Sequence, residues 1–234
     1  MRKIISFVLA FLMISVLSSL VIAAPNGVDV NAGTSTRSNA TGPDNDPNAM
    51  AGNVTELTVT GTSITQAWQG YFGNVSGTIQ LANSADNVMY NWSLASPKGE
   101  IYASNASTIT WSGIQCYNET ANLSEFEQRF GIGVGDADGL NETFNLNDHV
   151  GFVTNSIPFT TGVCDNTKLF NSAGIGTFTE VLLTDGPSLV FTSLLLQNAN
   201  GFDNVPHDFE MLVLENGHGA DTNPTTYYFW AELE

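Results

Sequence analysis

The sequence predicts an all-β fold: an antiparallel β-sandwich, jelly-roll or immunoglobulin-like, of roughly 9–12 strands with a short helical insertion. Two observations predict it. Short segments alternate apolar and polar residues, and clusters of Gly, Pro, Asn and Ser separate these segments. A third observation concerns N-glycosylation sequons, because they mark which face of a strand meets water. All three occur together between residues 53 and 116.

Residues 88–94 illustrate the alternation. One face of this segment carries Val88, Tyr90, Trp92 and Leu94. Asn91, on the other face, begins an Asn-Trp-Ser sequon. The preceding segment repeats this arrangement, because Asn74 begins another sequon and lies opposite Val75, Ile79 and Leu81. We therefore expect a half-buried sheet whose aromatic face is covered and whose other face carries sugar.

Residues 1–23 have the features of a secretion signal peptide. Arg2 and Lys3 precede an apolar run over 4–22, and the residues before Ala24 suit cleavage. An uncleaved membrane anchor is the alternative, because the run is close to the lower limit for spanning a bilayer. No other segment approaches that length, so the processed chain is expected to lack a transmembrane segment. It is expected to be secreted and to reside at the cell surface.

The charge balance excludes one class of partner. The chain has 6 basic and 23 acidic residues, a net charge of −17. Removing Arg2 and Lys3 with the signal leaves four basic residues against the same 23 acidic ones, a net charge of −19. Such a surface repels phosphate backbones, so no nucleic-acid partner is expected.

Cys116 and Cys164 are the two cysteines of the chain. An even number of cysteines in an exported protein favours a disulfide, and only one pairing exists. It would close a loop of 47 intervening residues, worth at most about 4 kcal/mol on the chain-entropy model. Two free thiols and a metal-binding pair are the alternatives.

Residues 24–52 form an N-terminal tail rich in small and polar residues, and the glycosylated β-domain follows over 53–234. The tail is either a flexible linker or a segment that adds a strand to a neighbouring copy. Two alternating stretches suit strand addition and subunit contact. The first contains Val28 and Val30, and the second contains Val54, Leu57 and Val59. The second stretch is also predicted to be the first strand of the domain.

Further strands are predicted from apolar, β-branched or aromatic segments at residues 64–72, 101–103, 109–114, 152–159, 175–183, 189–196, 209–214 and 225–233. Segments 181–183 and 194–196 are apolar on both faces. These strands are therefore buried on both sides, or one of their faces meets another subunit.

Residues 117–148 are predicted to be an insertion between strands. The Ser-Glu-Phe-Glu stretch at 124–127 matches a helix-capping box, which predicts a short helix over 124–130. Asp136 and Asp138 lie on a Gly-rich turn whose carboxylates suit weak Ca²⁺ binding. A solvated turn without a metal is the alternative, because Asp and Gly favour turns in any case.

The sequons are concentrated in the first two thirds of the chain. They begin at Asn39, Asn53, Asn74, Asn91, Asn105, Asn118, Asn122 and Asn141. None begins after Asn141. Because a glycan does not fit inside an interface, the sequon-free C-terminal third is a candidate for subunit contact. A core-forming third that lacks sequons by chance is the alternative.

The sequence contains no pattern typical of an active site. His149, His207 and His218 are far apart, no Gly-x-Ser-x-Gly elbow occurs, and no pair of carboxylates stands out. We therefore expect no enzymatic activity. No cofactor is expected apart from N-linked glycans and the weak Ca²⁺ option.

Several segments together resemble an uncharacterised family of secreted archaeal surface β-proteins: residues 53–57, 67–77, 90–92, 99–104, 208–211, 215–218 and 226–229. The resemblance covers most of residues 51–234; it implies an exported archaeal β-protein and transfers no catalytic residues. The order of signal, tail and glycosylated β-domain is similar, more loosely, to archaeal thread and bundling-pilus subunits. That likeness implies assembly by insertion of a strand into the next subunit.

The sequence thus predicts a subunit of an extracellular filament, a head-to-tail homopolymer joined by strand complementation. The alternative is a monomeric cell-surface binding module for glycans or a partner protein. Its stacking platform would consist of Trp68, Tyr71, Phe72 or Trp111, assisted by Ca²⁺ on the Asp136–Asp138 turn. The two classes differ in one respect: a filament subunit alone has an incomplete sheet, and a binding module does not.

Overall fold

The structure, a computed structural model, describes residues 24–38, 48–117, 125–133, 135–217 and 223–234. It confirms the predicted fold class, because the described chain is mostly antiparallel β-strand with short helices. The predicted signal peptide, residues 1–23, lies outside the described residues. Within the described ranges, no helix is long and apolar enough to cross a membrane.

The strands in chain order are β1 (Asn26–Gly27), β2 (Trp68–Gly73), β3 (Gly77–Ala82), β4 (Val88–Leu94), β5 (Gly99–Ser104), β6 (Gln115–Cys116), β7 (Phe152–Thr154), β8 (Ile157–Phe159), β9 (Asn166–Phe170), β10 (Gly176–Thr184), β11 (Leu189–Leu194), β12 (Ala199–Asn200), β13 (Pro206–His207), β14 (Phe209–Leu214) and β15 (Tyr228–Leu233). The helical elements are a 3₁₀ turn at Trp111–Gly113, α1 at residues 125–129 and α2 at Leu140–Thr143. The helix predicted over 124–130 therefore forms where the capping box indicated.

A central antiparallel sheet organises the molecule. Its strand order is β1-β15-β5-β11-β10-β6, and β9 pairs with the first part of β10. Smaller two-stranded sheets are formed by β2 with β14, β3 with β4, β7 with β8, and β12 with β13. The pairs β9–β10 and β10–β11 are consecutive in sequence, but the other neighbours in the central sheet are far apart in the chain, so its order follows from tertiary packing.

Both faces of the central sheet are buried by the chain itself. On one face, Leu182 and Phe191 pack with Met211 of the β2–β14 pair and with Phe126 and Leu140 of the two helices. The other face forms a second core, whose buried apolar members are Tyr102, Ile109, Ile114, Phe152, Phe159, Cys164, Val181, Leu183, Val190 and Leu194. The insertion and the β7–β8 hairpin thus cover opposite faces.

This double burial decides between the two interpretations of β10 and β11, whereas Leu196, which follows β11, is exposed by 43%. The apolar residues on both faces of β10 and β11 are core residues of one chain. A subunit contact through the faces of these strands is therefore wrong, because other elements of the same chain already cover them. The absence of sequons there agrees with a core-forming segment.

Two strand predictions are wrong in detail. Residues 152–159 form two strands, because Asn155 and Ser156 adopt positive φ angles of 48° and 65° and turn the chain back. Residues 109–114 do not continue as a strand; a 3₁₀ turn at Trp111–Gly113 interrupts the alternation. In both places local turn geometry overrides the apolar pattern.

The stretch containing Val54, Leu57 and Val59 is not a strand of the domain. Residues 53–65 are without regular secondary structure, and all three apolar side chains are exposed. Their β-branched composition suits a strand, but a strand needs a hydrogen-bonded neighbour, and the described chain provides none here. We call residues 53–60 the exposed arm.

Candidate functional site

The β3–β4 hairpin carries an apolar face that the described chain leaves open. The exposed fractions of its large apolar side chains are between 46% and 59%. These residues are Ile79, Leu81, Val88, Tyr90 and Trp92, which we call the hairpin patch. The prediction that this aromatic face is covered is therefore wrong for the single chain.

The hairpin itself is regular. Ile79 is paired with Trp92 and Leu81 with Tyr90, so their side chains lie side by side on one face. The rings of Tyr90 and Trp92 are 4.9 Å apart between centroids. Asn91, on the opposite face, is exposed as predicted. The hairpin thus separates a bare apolar face from a face that bears a sequon.

Only the base of the hairpin is anchored to the domain. A Cβ atom placed on Gly77 would lie 2.7 Å from Cδ1 of Leu233, so the start of β3 contacts the end of β15 closely. Val75, immediately before it, packs against the first core. Asp208 accepts a hydrogen bond from the Val75 amide at 2.8 Å. Beyond this base, neither β3 nor β4 pairs with a third described strand.

The exposed arm is the second open apolar element. Val54, Leu57 and Val59 have exposed fractions of 101%, 59% and 86%. No backbone hydrogen bond joins residues 54–60 to the described part of the chain. The arm is followed by an anchored segment, since Trp68 donates its indole N–H to the Asp138 carbonyl at 2.7 Å.

The N-terminal tail already shows strand addition within one chain. Asn26 and Gly27 pair with Ala231 and Trp230 at the outer edge of the central sheet. Two of the six residues of β15 are covered in this way. Val28 and Val30 follow and are exposed by 39% and 57%. The tail is thus attached at one end, and its two valines contact water.

The predicted stacking platform is not assembled. Trp68 packs edge-on against Phe191, and Trp111 packs against Tyr102, so both belong to the cores. Tyr71 packs edge-on against Phe229. Phe72 is exposed by 50% but lies against Phe202 and His207. Tyr90 and Trp92, whose face the sequence predicted to be covered, are an exposed aromatic pair instead.

The Asp136–Asp138 turn is engaged in hydrogen bonds to the chain. Asp136 accepts the amide of Gly133 at 2.6 Å, and Asp138 accepts the hydroxyl of Thr65 at 2.5 Å. Through Thr65, the second carboxylate anchors the segment that leads into β2. Among the described residues, no group of three or more His, Cys, Asp or Glu side chains is placed to hold a metal.

Five sequon asparagines lie in the described ranges. Asn53, Asn74, Asn91 and Asn105 are exposed, and Asn141 is partly buried at the start of α2. Asn39, Asn118 and Asn122 fall outside the described residues. The four exposed side chains meet the steric requirement for a glycan.

Cys116 and Cys164 are joined by a disulfide. It links β6, at one edge of the central sheet, to the loop before β9. Cys164 is buried, and its amide donates a hydrogen bond to Nε2 of His149 at 3.0 Å. His149, itself buried, therefore supports the disulfide rather than a catalytic group.

A pair of buried carboxyl groups is a polar cluster that the sequence analysis did not predict. Glu100 and Glu232 face each other on β5 and β15, and both are buried. The Tyr102 hydroxyl lies 3.2 Å from Oε2 of Glu232 and 3.5 Å from Oε2 of Glu100. Oε2 of Glu232 also accepts the Asn155 amide at 2.9 Å, which holds the turn between β7 and β8.

Burial sets the protonation of this pair. Loss of solvation, followed by the nearby carboxylates of Glu232 and Glu234, raises the pKa of Glu100 to about 8. Burial likewise raises the pKa of Glu232 above its ordinary value. The sequence contains a pattern that indicates this cluster. Glu100, Tyr102 and Ser104 lie on one face of a strand whose other face is apolar.

None of the protein-family models, curated proteins and solved structures compared with this chain matches it.

Proposed function

We propose that the protein is a secreted, N-glycosylated surface protein that polymerises head to tail into an extracellular filament, with copies joined by strand addition. The observation that carries this proposal is the exposed arm. Its apolar side chains meet water, and its residues 54–60 make no backbone–backbone hydrogen bond within the described chain. Such a segment satisfies its hydrogen bonds and buries its side chains by pairing with a strand edge of another copy.

Strand addition at sheet edges is compatible with this fold. Asn26–Gly27 of the tail already adds to the edge strand β15 of its own domain. An edge strand presents unpaired amide and carbonyl groups along its length, which makes it a template for another chain. A donor on one side of a subunit and an acceptor on another give a contact that does not close, and such contacts build fibres.

The sequence features support the same reading. The signal-like segment over 1–23 directs export, and the sequons mark a sugar-bearing surface. The resemblance to secreted archaeal surface proteins agrees with export, and the looser likeness to thread and bundling-pilus subunits agrees with strand insertion. A mature net charge of −19 limits non-specific association between copies. Contacts between copies are therefore favoured at surfaces that carry few charged side chains.

A binding module is the second candidate. The observation that favours it is the exposed Tyr90–Trp92 pair, since aromatic faces stack on sugars and on partner side chains. The two ring planes are inclined by 61°, so they do not form one flat platform. We therefore assign the pair to a protein contact.

The test is electron microscopy of the glycosylated chain beginning at Ala24. One variant replaces the three apolar side chains of the exposed arm with serine (V54S, L57S and V59S). A control variant replaces three other exposed apolar side chains, V163S, F170S and I175S. We expect fibres from the wild type and the control, and monomers from the arm variant.

Two other outcomes have clear meanings. Monomers of the wild type at every concentration would refute polymerisation and leave the binding module. Fibres from the arm variant would retain the polymer and exclude the arm as its donor. Deleting residues 24–52 in parallel separates the arm from the tail, because the deletion keeps the exposed arm intact.

A further inference from the structure

We propose that the exposed arm of one copy adds to the β3–β4 hairpin of a second copy as its third strand, so that Leu57 and Val59 lie beside the hairpin patch. This proposal rests on the proposed function and names the acceptor within it. It joins two apolar surfaces that the described chain leaves open, namely the arm and the patch.

The hairpin is an incomplete sheet. A two-stranded hairpin is marginally stable in water, and a third strand or a packed face gives it independent stability. Here β3 and β4 pair only with each other, and their outer edges carry free backbone groups. Their common apolar face is about half-exposed. A third strand would pair one free edge and widen the apolar face at the same time.

The arm has the length and pattern of that strand. It contains eight residues, compared with six in β3 and seven in β4. Leu57 and Val59 share one face at a period of two, whereas Glu56 and Thr58 lie on the other. When Leu57 and Val59 join the side of the hairpin patch, Glu56 and Thr58 join the polar side that bears Asn91.

Charge and glycosylation permit a second copy at this place. Residues 77–94 contain one charged side chain, Asp86, at the hairpin turn, and the arm contains one, Glu56. Two mature copies with a net charge of −19 each therefore meet at almost neutral elements. The Asn91 sequon lies on the face opposite the patch, so a glycan there does not obstruct it.

The test is disulfide cross-linking between two tagged populations of the full mature chain. One population carries V59C in the arm. The other carries L81C on β3 or Y90C on β4, and I175C, equally exposed but remote in sequence, serves as the control acceptor. We expect mixed cross-linked dimers with L81C or Y90C and none with I175C. The variant Y90S/W92S should weaken association roughly tenfold or more.

The outcomes separate this proposal from the proposed function. Fibres that need the exposed arm but give no cross-link to either hairpin position would overturn the acceptor and leave the polymer. A chain that carries V59C and L81C together and closes a disulfide within a monomer would overturn the second copy as the occupant. If the wild type remains monomeric at every concentration, both proposals are refuted.

Discussion

Glu100 and Glu232 lie directly opposite each other on neighbouring strands of the central sheet, and both carboxyl groups are buried. Two buried carboxylates repel each other, so the fold favours their protonated forms. The Tyr102 hydroxyl lies between them, and Glu232 also holds the β7–β8 turn. The pair therefore couples the stability of the sheet to pH.

We predict that the free energy of unfolding decreases as pH rises from about 4.5 to about 8. In this window the folded state keeps the Glu100 proton, whose pKa is raised to about 8, whereas the unfolded chain has lost it at its ordinary value of 4.5. The stabilisation is complete below the unfolded pKa. We expect a loss of a few kcal/mol across the window, measured by denaturant unfolding at a series of pH values.

The variant E100Q tests the assignment of this pH dependence. Glutamine keeps the size of the side chain and removes the titration. The free energy of unfolding of E100Q should therefore decrease less steeply with pH than that of the wild type. E142Q, at an exposed position, is the control and should leave the profile unchanged. A wild-type stability that increases between these pH values would contradict the prediction.

Gly99 is predicted to be intolerant of any side chain. Its φ is +115°, and a Cβ atom there would lie 2.0 Å from the Glu232 carbonyl oxygen. G99A should cost more than about 3 kcal/mol of unfolding free energy, because backbone strain and a backbone clash combine. G174A, at φ +72° with open space around it, is the control and should cost about 1 kcal/mol. Equal effects of the two substitutions on thermal unfolding would refute the clash.

The disulfide between Cys116 and Cys164 is predicted to contribute up to about 4 kcal/mol to stability, because it restricts a long loop in the unfolded chain. The double variant C116S/C164S should unfold at lower denaturant concentration. Mass spectrometry of the unfolded, unreduced wild type should find no free thiol. A wild type that reacts with a thiol reagent would contradict the pairing.

Trp92 is predicted to be the tryptophan that water-borne quenchers reach in the monomer. Its side chain is 50% exposed, whereas Trp68, Trp111 and Trp230 are partly buried against cores. Acrylamide should quench a distinct part of the fluorescence, and W92F should remove that part. In fibres, the proposed contact should protect Trp92 from quenching. Equal quenching in monomer and fibre would count against the hairpin as the acceptor.

The alternation of residues 88–94 predicted both the strand and the composition of its two faces. The prediction that the aromatic face is covered was wrong. Alternation shows that the two faces differ in polarity, but it does not show whether another element covers the apolar face. The pairing of Ile79 with Trp92 makes a regular hairpin. No other described strand packs beyond its base, which only the tertiary structure reveals.

The same limit explains the arm around Val54. A β-branched, alternating stretch predicted a strand, yet a strand exists only where another edge pairs with it. The described chain provides that edge for Asn26–Gly27, on β15, and not for residues 54–60. Local propensity therefore predicts that the arm is able to form a strand, but it does not predict which edge the arm pairs with.

Three features follow from the sequence alone. Local periodicity predicts the class of fold, the capping box predicts the short helix in the insertion, and two cysteines allow only one disulfide pairing. The tertiary structure decided which apolar faces are covered: those of β10 and β11 by the chain itself, and that of the hairpin patch by nothing in the described residues. It also brought Glu100 next to Glu232. The physical reason is that strand pairing over long sequence separations depends on how all the elements pack together, and no local segment encodes that packing.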